Sequence, residues 1–184
     1  MTKQSDTEKS DAGYKGKDTS IVANYNALIN RYPLLVNGTQ SACISALGVL
    51  ASQVLSGVAE FNFSEVAVMM LINFIYNTPI LLWFYGNLSK SKESILVKLF
   101  IDQVVFSPVF TTGLISLRLL LLGTEMARIP SIVTAVVPTA VASSWFFWLP
   151  CRGLIMLYVP VALHLLAGNL LAFVWNIILA TILR

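Results

Sequence analysis

The chain has 184 residues, of which 57% are hydrophobic and 11% are charged, and its mean hydropathy is +0.76. A soluble domain carries about 45–50% apolar and about 25% charged residues, so this composition excludes a soluble globular protein and indicates a polytopic membrane protein. The net charge of +3 is better explained by asymmetric loops than by a patch that binds nucleic acid, and no nucleic-acid partner is expected.

Residues that carry catalysis or bind metals are scarce. The chain has one histidine and two cysteines, Cys43 and Cys151, each in an apolar stretch. Their spacing fits neither a metal site nor a disulfide framework, so we expect two buried free thiols. The sequence contains no nucleophile–base pair, metal cluster or phosphate-binding loop, so neither an enzyme nor a cofactor is expected.

Residues 1–20 form a polar tail, and residues 21–184 form a single transmembrane domain. In the tail, four lysines are balanced by four acidic residues. A mitochondrial presequence is rich in Arg and poor in acids, and a signal peptide has an apolar core, so targeting information should lie within the spans instead. The composition of the tail predicts disorder unless it lies against a partner subunit.

A short amphipathic helix is expected over residues 21–32, where apolar residues recur at helical spacing between polar ones. Such a helix lies in the membrane interface. Pro33 then opens the first membrane span, at a position where a proline costs no hydrogen bond.

Four transmembrane spans are predicted, at about 33–59, 66–88, 95–122 and 154–183. The fold class is therefore an all-α integral membrane bundle with short interfacial helices. The first span is rich in small residues, including Gly48, that let helices approach closely in lipid. The last span is long enough to need a tilt or a bend at Pro160.

The third span carries polar residues that membrane helices rarely tolerate. Lys98 and Asp102 are four residues apart and share one helix face, and Gln103 follows them. A charge inside the bilayer costs at least a few kcal/mol, so this helix must face the inside of a bundle. Two interpretations stay open: Lys98 snorkels to the interface while Asp102 neutralises it, or the residues line a path for a solute or a proton.

Three further polar residues lie inside the spans. Asn73 and Asn77 are one turn apart in the second span, where they either join helices by hydrogen bonds or line a path. His164 in the last span is either a packing residue or a partner of Asp102. The candidate pore or buried polar network consists of Lys98, Asp102, Gln103, Asn73, Asn77 and His164.

The region 129–150 is ambiguous. It carries no charge, which permits a fifth span. Its three prolines and the pair Trp145 and Trp148 argue against a span, because proline breaks the helical hydrogen-bond ladder and tryptophan prefers the interface. We therefore expect an interfacial or re-entrant segment, which leaves four spans and places both termini on one side.

The order of several short motifs resembles the Mpv-seventeen family, which includes the twenty-two-kilodalton peroxisomal membrane protein and the yeast mitochondrial Sym protein. The resemblance begins near Tyr25 and runs to the C-terminus. Lys98, Asp102, Gln103 and Pro108 are similar to the family element K-x-x-x-D-Q-x-x-x-x-P. The other matching positions, which we expect to pack the helices, are Pro33, Gly48, Trp145, Trp148, Pro160 and Trp175.

This resemblance implies four helices with an amphipathic stretch before the last one. It also implies a small-solute pore or a role in inner-membrane homeostasis, and no enzymatic reaction. Three polar positions of the family pattern hold Val49, Leu82 and Ile155 here, and Arg152 stands in place of a glutamine. Because polar groups line a water-filled path, their loss counts against a pore.

Two functions are predicted on this basis, and in both the lipid bilayer is the surrounding partner. The first is a structural or accessory subunit of a larger mitochondrial inner-membrane assembly, with other membrane subunits as partners of the polar tail. The alternative is a non-selective channel for small solutes in the mitochondrial inner membrane or the peroxisomal membrane. The reduced set of polar residues favours the first.

Overall fold

A computed structural model describes residues 18–182, and every regular element within them is helical. Residues 1–17, which make up most of the predicted polar tail, and residues 183–184 lie outside the described part. The expected contact of the tail with a partner subunit falls on those undescribed residues.

Six helices follow one another along the described residues. The first two are α1 (Asp18–Arg31) and α2 (Pro33–Leu55). The next two contain a π-helical turn each: α3 covers Phe63–Lys90 with its turn at Asn73–Asn77, and α4 covers Ile95–Leu121 with its turn at Ile101–Phe106. The last two, each preceded by a 3-10 turn, are α5 (Ile129–Tyr158) and α6 (His164–Ile182).

Local side-chain chemistry sets the starts of the helices. Pro33 occupies the first turn of α2, where its missing N–H is not needed. The Asn62 side chain accepts a hydrogen bond from the Glu65 amide at 3.0 Å and caps α3. The Ser94 hydroxyl accepts from the Val97 amide at 3.4 Å and caps α4 in the same way.

The π-helical turns of α3 and α4 each lie just before a proline. Pro79 and Pro108 have no N–H to donate, so the preceding turn widens and its carbonyl groups need other donors. In α3 the Thr78 hydroxyl donates to the Asn73 carbonyl at 2.7 Å. Both turns carry residues of the candidate polar network.

Three side-chain contacts show that α3 and α4 are antiparallel along their length. They join Arg118 to Glu65, the Tyr76 hydroxyl to the Phe110 carbonyl at 3.2 Å, and the Tyr85 hydroxyl to Asp102 at 3.0 Å. The first contact lies where α4 ends and α3 begins, and the last lies near the opposite ends of both helices.

Helix α5 is continuous over 30 residues although it contains Pro138 and Pro150. The chain neither breaks nor turns back within 129–150, so it shows no re-entrant turn there, and the expectation of an interfacial segment stays a prediction. A proline removes one backbone hydrogen bond, but packing against neighbouring helices keeps such helices intact in membrane proteins.

Helix α5 runs antiparallel to α4 over most of its length. The short connection after Leu121 places the start of α5 beside the end of α4. Farther along, the Trp145 indole donates to the Gln103 carbonyl at 3.2 Å, and Gly153 faces the Leu99 side chain. If α4 crosses the membrane, α5 has the length and position to cross it as well.

The chain leaves its helical path between α5 and α6. Val159 is extended, with φ −101° and ψ 133°, and Pro160 follows it. The residue before a proline is disfavoured in the helical region, so the predicted span 154–183 is divided here. The expected bend at Pro160 is a complete break, and α6 begins at His164.

Helix α6 packs against α2 and α5. The Asn169 side chain donates to the Ser41 hydroxyl of α2 at 2.5 Å, and Gly168 faces the Arg152 side chain of α5. Because successive helices from α2 onward alternate in direction, α2 and α6 run parallel. The N-terminus of α2 and the C-terminus of α6 therefore lie at opposite ends of the bundle.

Within residues 18–182, four helical stretches are long and apolar enough to cross a membrane: α2, α3, α4 and Met126–Tyr158, which contains α5. The prediction of an all-α protein with four such helices is confirmed. The fourth stretch contains α5, whereas the predicted span 154–183 is divided between the end of α5 and α6. Helix α6 adds a shorter apolar helix of 19 residues, about 28 Å long.

The outer surface of the bundle is apolar, as expected of a surface in contact with lipid. Trp83, Val109 and Phe146 are 68%, 72% and 91% exposed, and the last two lie near the middle of long helices. Cys43 is a free thiol at this surface, so the expectation of a buried thiol is wrong for that residue. Cys151 is a half-buried free thiol.

The two ends of the bundle differ in charge. We call one end the basic end, because the connections there carry Arg31, Lys90, Lys92 and Glu93. We call the other the acidic end, because its connections and helix termini carry Glu60, Glu65, Arg118, Glu125 and Arg128.

Candidate functional site

A cavity of about 340 Å³ lies inside the bundle, and we call it the main cavity. Each helix from α2 to α6 contributes polar residues to its wall, including Ser41, Asn73, Asp102, Arg152 and Asn169. Along α4 the wall extends from Asp102 to Leu114, a rise of about 18 Å, which is more than half of a hydrocarbon core of about 30 Å.

Hydrogen-bonded amides line the middle of the main cavity. Asn77 donates to the Asn73 side-chain oxygen at 2.8 Å, and Asn73 donates to the Ser45 hydroxyl of α2 at 2.8 Å. Among the residues that the structure describes, Asn77 Oδ1 is buried and has no hydrogen-bond partner. A buried polar atom of this kind normally bonds water or a ligand, so the cavity wall suits a polar occupant.

Asp102 lies at the end of the main cavity nearer the basic end, and only 2% of its surface is exposed. Its Oδ1 accepts a hydrogen bond from the Tyr85 hydroxyl at 3.0 Å, and its Oδ2 accepts one from the Gln103 side chain at 2.9 Å. The cation within 4.0 Å is Arg152 of α5. A cation from a different helix, and not the expected Lys98, therefore compensates the buried charge of Asp102.

Arg152 is held by aromatic rings as well as by charge. Its guanidinium lies 4.8 Å from the centroid of the Tyr85 ring and 5.0 Å from that of the Trp148 ring, within the range of cation–π attraction. A Cβ atom on Gly168 would lie 3.0 Å from Nη1 of Arg152, so the glycine leaves room for the guanidinium. The side chain is 12% exposed.

A second cavity of about 130 Å³ lies toward the basic end. Its wall contains Lys98 and His164, and the His164 Nε2 atom is 2.9 Å from the Val159 carbonyl oxygen. Of the residues that the structure describes, Tyr85 alone lines both cavities. The side chain of Tyr85, which is buried, therefore stands between them.

The candidate network from the sequence is thus divided between two places. Asn73, Asn77, Asp102 and Gln103 line the main cavity, whereas Lys98 and His164 line the second one. His164 approaches Asp102 only indirectly, since its ring packs edge-on against Tyr85 at 6.3 Å between centroids.

Sequence reasoning missed two of the central residues. Tyr85 belongs to the aromatic run Trp83-Phe84-Tyr85, which is typical of a headgroup belt, and only Trp83 of this run is strongly exposed. Arg152 stood out as a departure from the family pattern but was not assigned to the network. An arginine within a long apolar run was the signal that could have identified it, because such a charge needs a buried partner.

The residues of the packing signature are found at helix starts, breaks and contacts. Gly48 is buried in α2, and Trp175 packs on Phe147 at 5.0 Å between ring centroids. The others begin α2 (Pro33), follow the π-helical turn of α4 (Pro108), contact α4 or Arg152 (Trp145 and Trp148), and precede α6 (Pro160).

Comparison with known proteins gives a consistent result. The family model described as "Mpv17 / PMP22 family" matches residues 119–180. The mitochondrial inner membrane protein Mpv17 of Danio rerio is 26% identical over 83% of this chain and 91% of the relative. Peroxisomal membrane protein 2 of Bos taurus is 22% identical over 95% of both chains. No solved structure matches the chain.

The long apolar helices, with an apolar outer surface and polar side chains buried between them, define a polytopic helical membrane protein. The chain matches the Mpv17 / PMP22 family over residues 119–180, and it is similar to the two relatives over most of its length. Because its relatives are named for two organellar membranes, the expected localisation to an organellar membrane is confirmed.

Proposed function

We propose that the protein provides a passage for small polar solutes across an organellar membrane. The observation that carries the proposal is the main cavity, whose wall includes polar side chains from all five helices while the outside of the bundle is apolar. Polar groups inside a membrane bundle are costly and are usually placed where a solute or ion passes. A packing role alone would not require a cavity of about 340 Å³ beside them.

The arrangement supports a passage in a closed state. The second cavity adjoins the basic end, and the Tyr85 side chain stands between it and the main cavity. Hydrogen bonding to Asp102 and the cation–π contact with Arg152 hold Tyr85 in this position. A movement of the Tyr85 ring would join the two cavities.

The mitochondrial inner membrane is the proposed location, with the peroxisomal membrane as the alternative. Mpv17 of Danio rerio, which is 26% identical, is named as a mitochondrial inner membrane protein. Peroxisomal membrane protein 2 of Bos taurus, which is 22% identical, is named for the peroxisomal membrane. The absence of an enzymatic reaction stays an expectation from the sequence.

The accessory-subunit hypothesis depends on the polar tail, most of which lies outside residues 18–182. No contact among the described residues favours it over the passage. It stays a prediction that native-gel migration checks: if it holds, deleting residues 1–20 releases the protein from a large complex while the bundle still inserts.

Tyr85→Ala tests the passage. In liposomes that contain the purified protein, removal of the ring should join the two cavities and raise the release of a trapped small polar solute several-fold. Tyr85→Phe keeps the ring between the cavities, so its release rate should stay nearer to that of the wild type.

Trp83→Ala is the matched control, because Trp83 is an aromatic residue of the same helix that is 68% exposed on the outside. Its removal should leave the release rate unchanged. If Tyr85→Ala liposomes stay as tight as liposomes without protein, or if Trp83→Ala leaks equally, the proposed passage is contradicted.

A further inference from the structure

The Arg152 guanidinium presents free hydrogen-bond donors to the main cavity. Among the residues whose side chains the structure describes, no acceptor lies within hydrogen-bond distance of it, and Asp102 Oδ2 is 4.0 Å from its Nε atom. A guanidinium carries five N–H groups in a rigid planar fork that fits carboxylate and phosphate groups. The rings of Tyr85 and Trp148 hold this fork in place, so it is preorganised.

A purely structural counter-ion of Asp102 would bond its oxygens directly. A buried ion pair gains most when the guanidinium and the carboxylate form two parallel hydrogen bonds. Here the oxygens of Asp102 accept from Tyr85 and Gln103 instead, at 3.0 and 2.9 Å. The carboxylate therefore lowers the cost of burying Arg152 without occupying its N–H groups.

The charge along the two cavities favours an anion. Among the described residues, the charged side chains in the wall of the main cavity are Asp102 and Arg152, and Lys98 is in the wall of the second cavity. With His164 neutral, two cations and one anion leave a formal charge of +1 (2 − 1). A low-dielectric cavity with net positive charge concentrates anions.

We propose that Arg152 is the binding subsite for one carboxylate or phosphate group of a small organic anion, and that the passage prefers such anions to cations. The preference of the passage for anions rests on the proposed function. Anion binding at Arg152 does not, because a subsite can bind its ligand whether or not the protein transports it. The main cavity, at about 340 Å³, is near the lower limit of about 300–1,000 Å³ for small-molecule sites, so the ligand is compact.

Binding is tested on the full-length protein purified in detergent, without transport. Succinate and inorganic phosphate are added in separate arms at fixed ionic strength, with choline chloride as the reference, and Tm is measured. At least one anion should raise Tm, since a ligand stabilises the state that binds it. The arm that responds distinguishes a carboxylate from a phosphate ligand.

Two variants separate binding from structural support. Asp102→Asn keeps the side-chain shape and removes the competing negative charge, so it should tighten anion binding. Arg152→Gln combined with Asp102→Asn replaces the pair by neutral amides and leaves no uncompensated charge, so the protein should fold. It should bind the anion about tenfold more weakly or worse. No rise of Tm in the wild type, or an equal rise in this double variant, overturns the subsite.

The preference is tested in planar bilayers under a potassium chloride gradient. We expect the reversal potential of the wild type to show that chloride passes more readily than potassium, and the double variant to lose this preference. Equal or cation-selective conductance in the wild type overturns the preference. Absence of any conductance overturns the proposed function, and the Tm experiment then decides the subsite alone.

Discussion

At the scale of single residues, the decisive pair is Asp102 and Arg152, which come from α4 and α5. A buried carboxylate that is 2% exposed needs compensation, and the spacing of Lys98 offered the obvious partner within one helix. The side chain of Lys98 instead lines the second cavity. Local spacing therefore identified the anion correctly but assigned the wrong cation, because a cation from another helix lies closer.

Asp102→Ala is expected to destabilise the protein by about 3–5 kcal/mol, because it leaves the buried cation of Arg152 uncompensated. Adding Arg152→Ala should recover part of that loss. The measurement is thermal unfolding in detergent for both single variants and the double variant.

The same comparison of two single variants and their double variant, with Lys98→Ala in place of Arg152→Ala, serves as the control. Its effects should add to those of Asp102→Ala within about 0.5 kcal/mol, as for residues that do not interact. Strong coupling to Lys98 and none to Arg152 would contradict the pairing described above.

At the scale of helices, small residues set how closely α2 approaches α3. A Cβ atom on Gly38 would lie 2.9 Å from two atoms of the Phe74 ring, closer than normal contact. The hydrogen bond from Asn73 to Ser45 joins the same two helices. Close approach of this kind is how helices gain packing energy in lipid, where no hydrophobic effect draws them together.

Gly38→Ala should destabilise the bundle by about 1–3 kcal/mol, because Phe74 must move to admit the methyl group. Gly86→Ala in α3 is the matched control, since nothing lies within 4 Å of the added atom. The control should be neutral or should stabilise by up to about 1 kcal/mol, as alanine favours the helix. Equal melting temperatures for the two variants would show that Gly38 is not a close contact.

At the scale of the whole molecule, the direction of α5 decides the topology. With α5 interfacial, both chain ends lie on one side, as the four-span prediction required. With α5 antiparallel to α4 along its length, α2 and α6 run parallel, and the N-terminus of α2 and the C-terminus of α6 lie at opposite ends of the bundle.

Tags at the two termini should therefore differ in accessibility. The basic end carries Lys90 and Lys92, so the N-terminal tag should face the cytoplasm- or matrix-like side and the C-terminal tag the other side. Protease protection in sealed organelles or vesicles measures this. Equal protection of both tags would mean that one of the helices α2 to α6 does not cross the membrane.

Composition and local pattern by themselves determined the class of protein, the helical fold and the helices up to α4, because lipid demands long apolar helices whatever their arrangement. They also identified Asn73, Asn77, Asp102 and Gln103 as residues of an interior. Only the tertiary structure decided that α5 stays helical through its prolines, that Arg152 pairs with Asp102, and that Tyr85 separates two cavities. Each of these depends on contacts between helices that are distant in sequence, and no local pattern encodes such contacts.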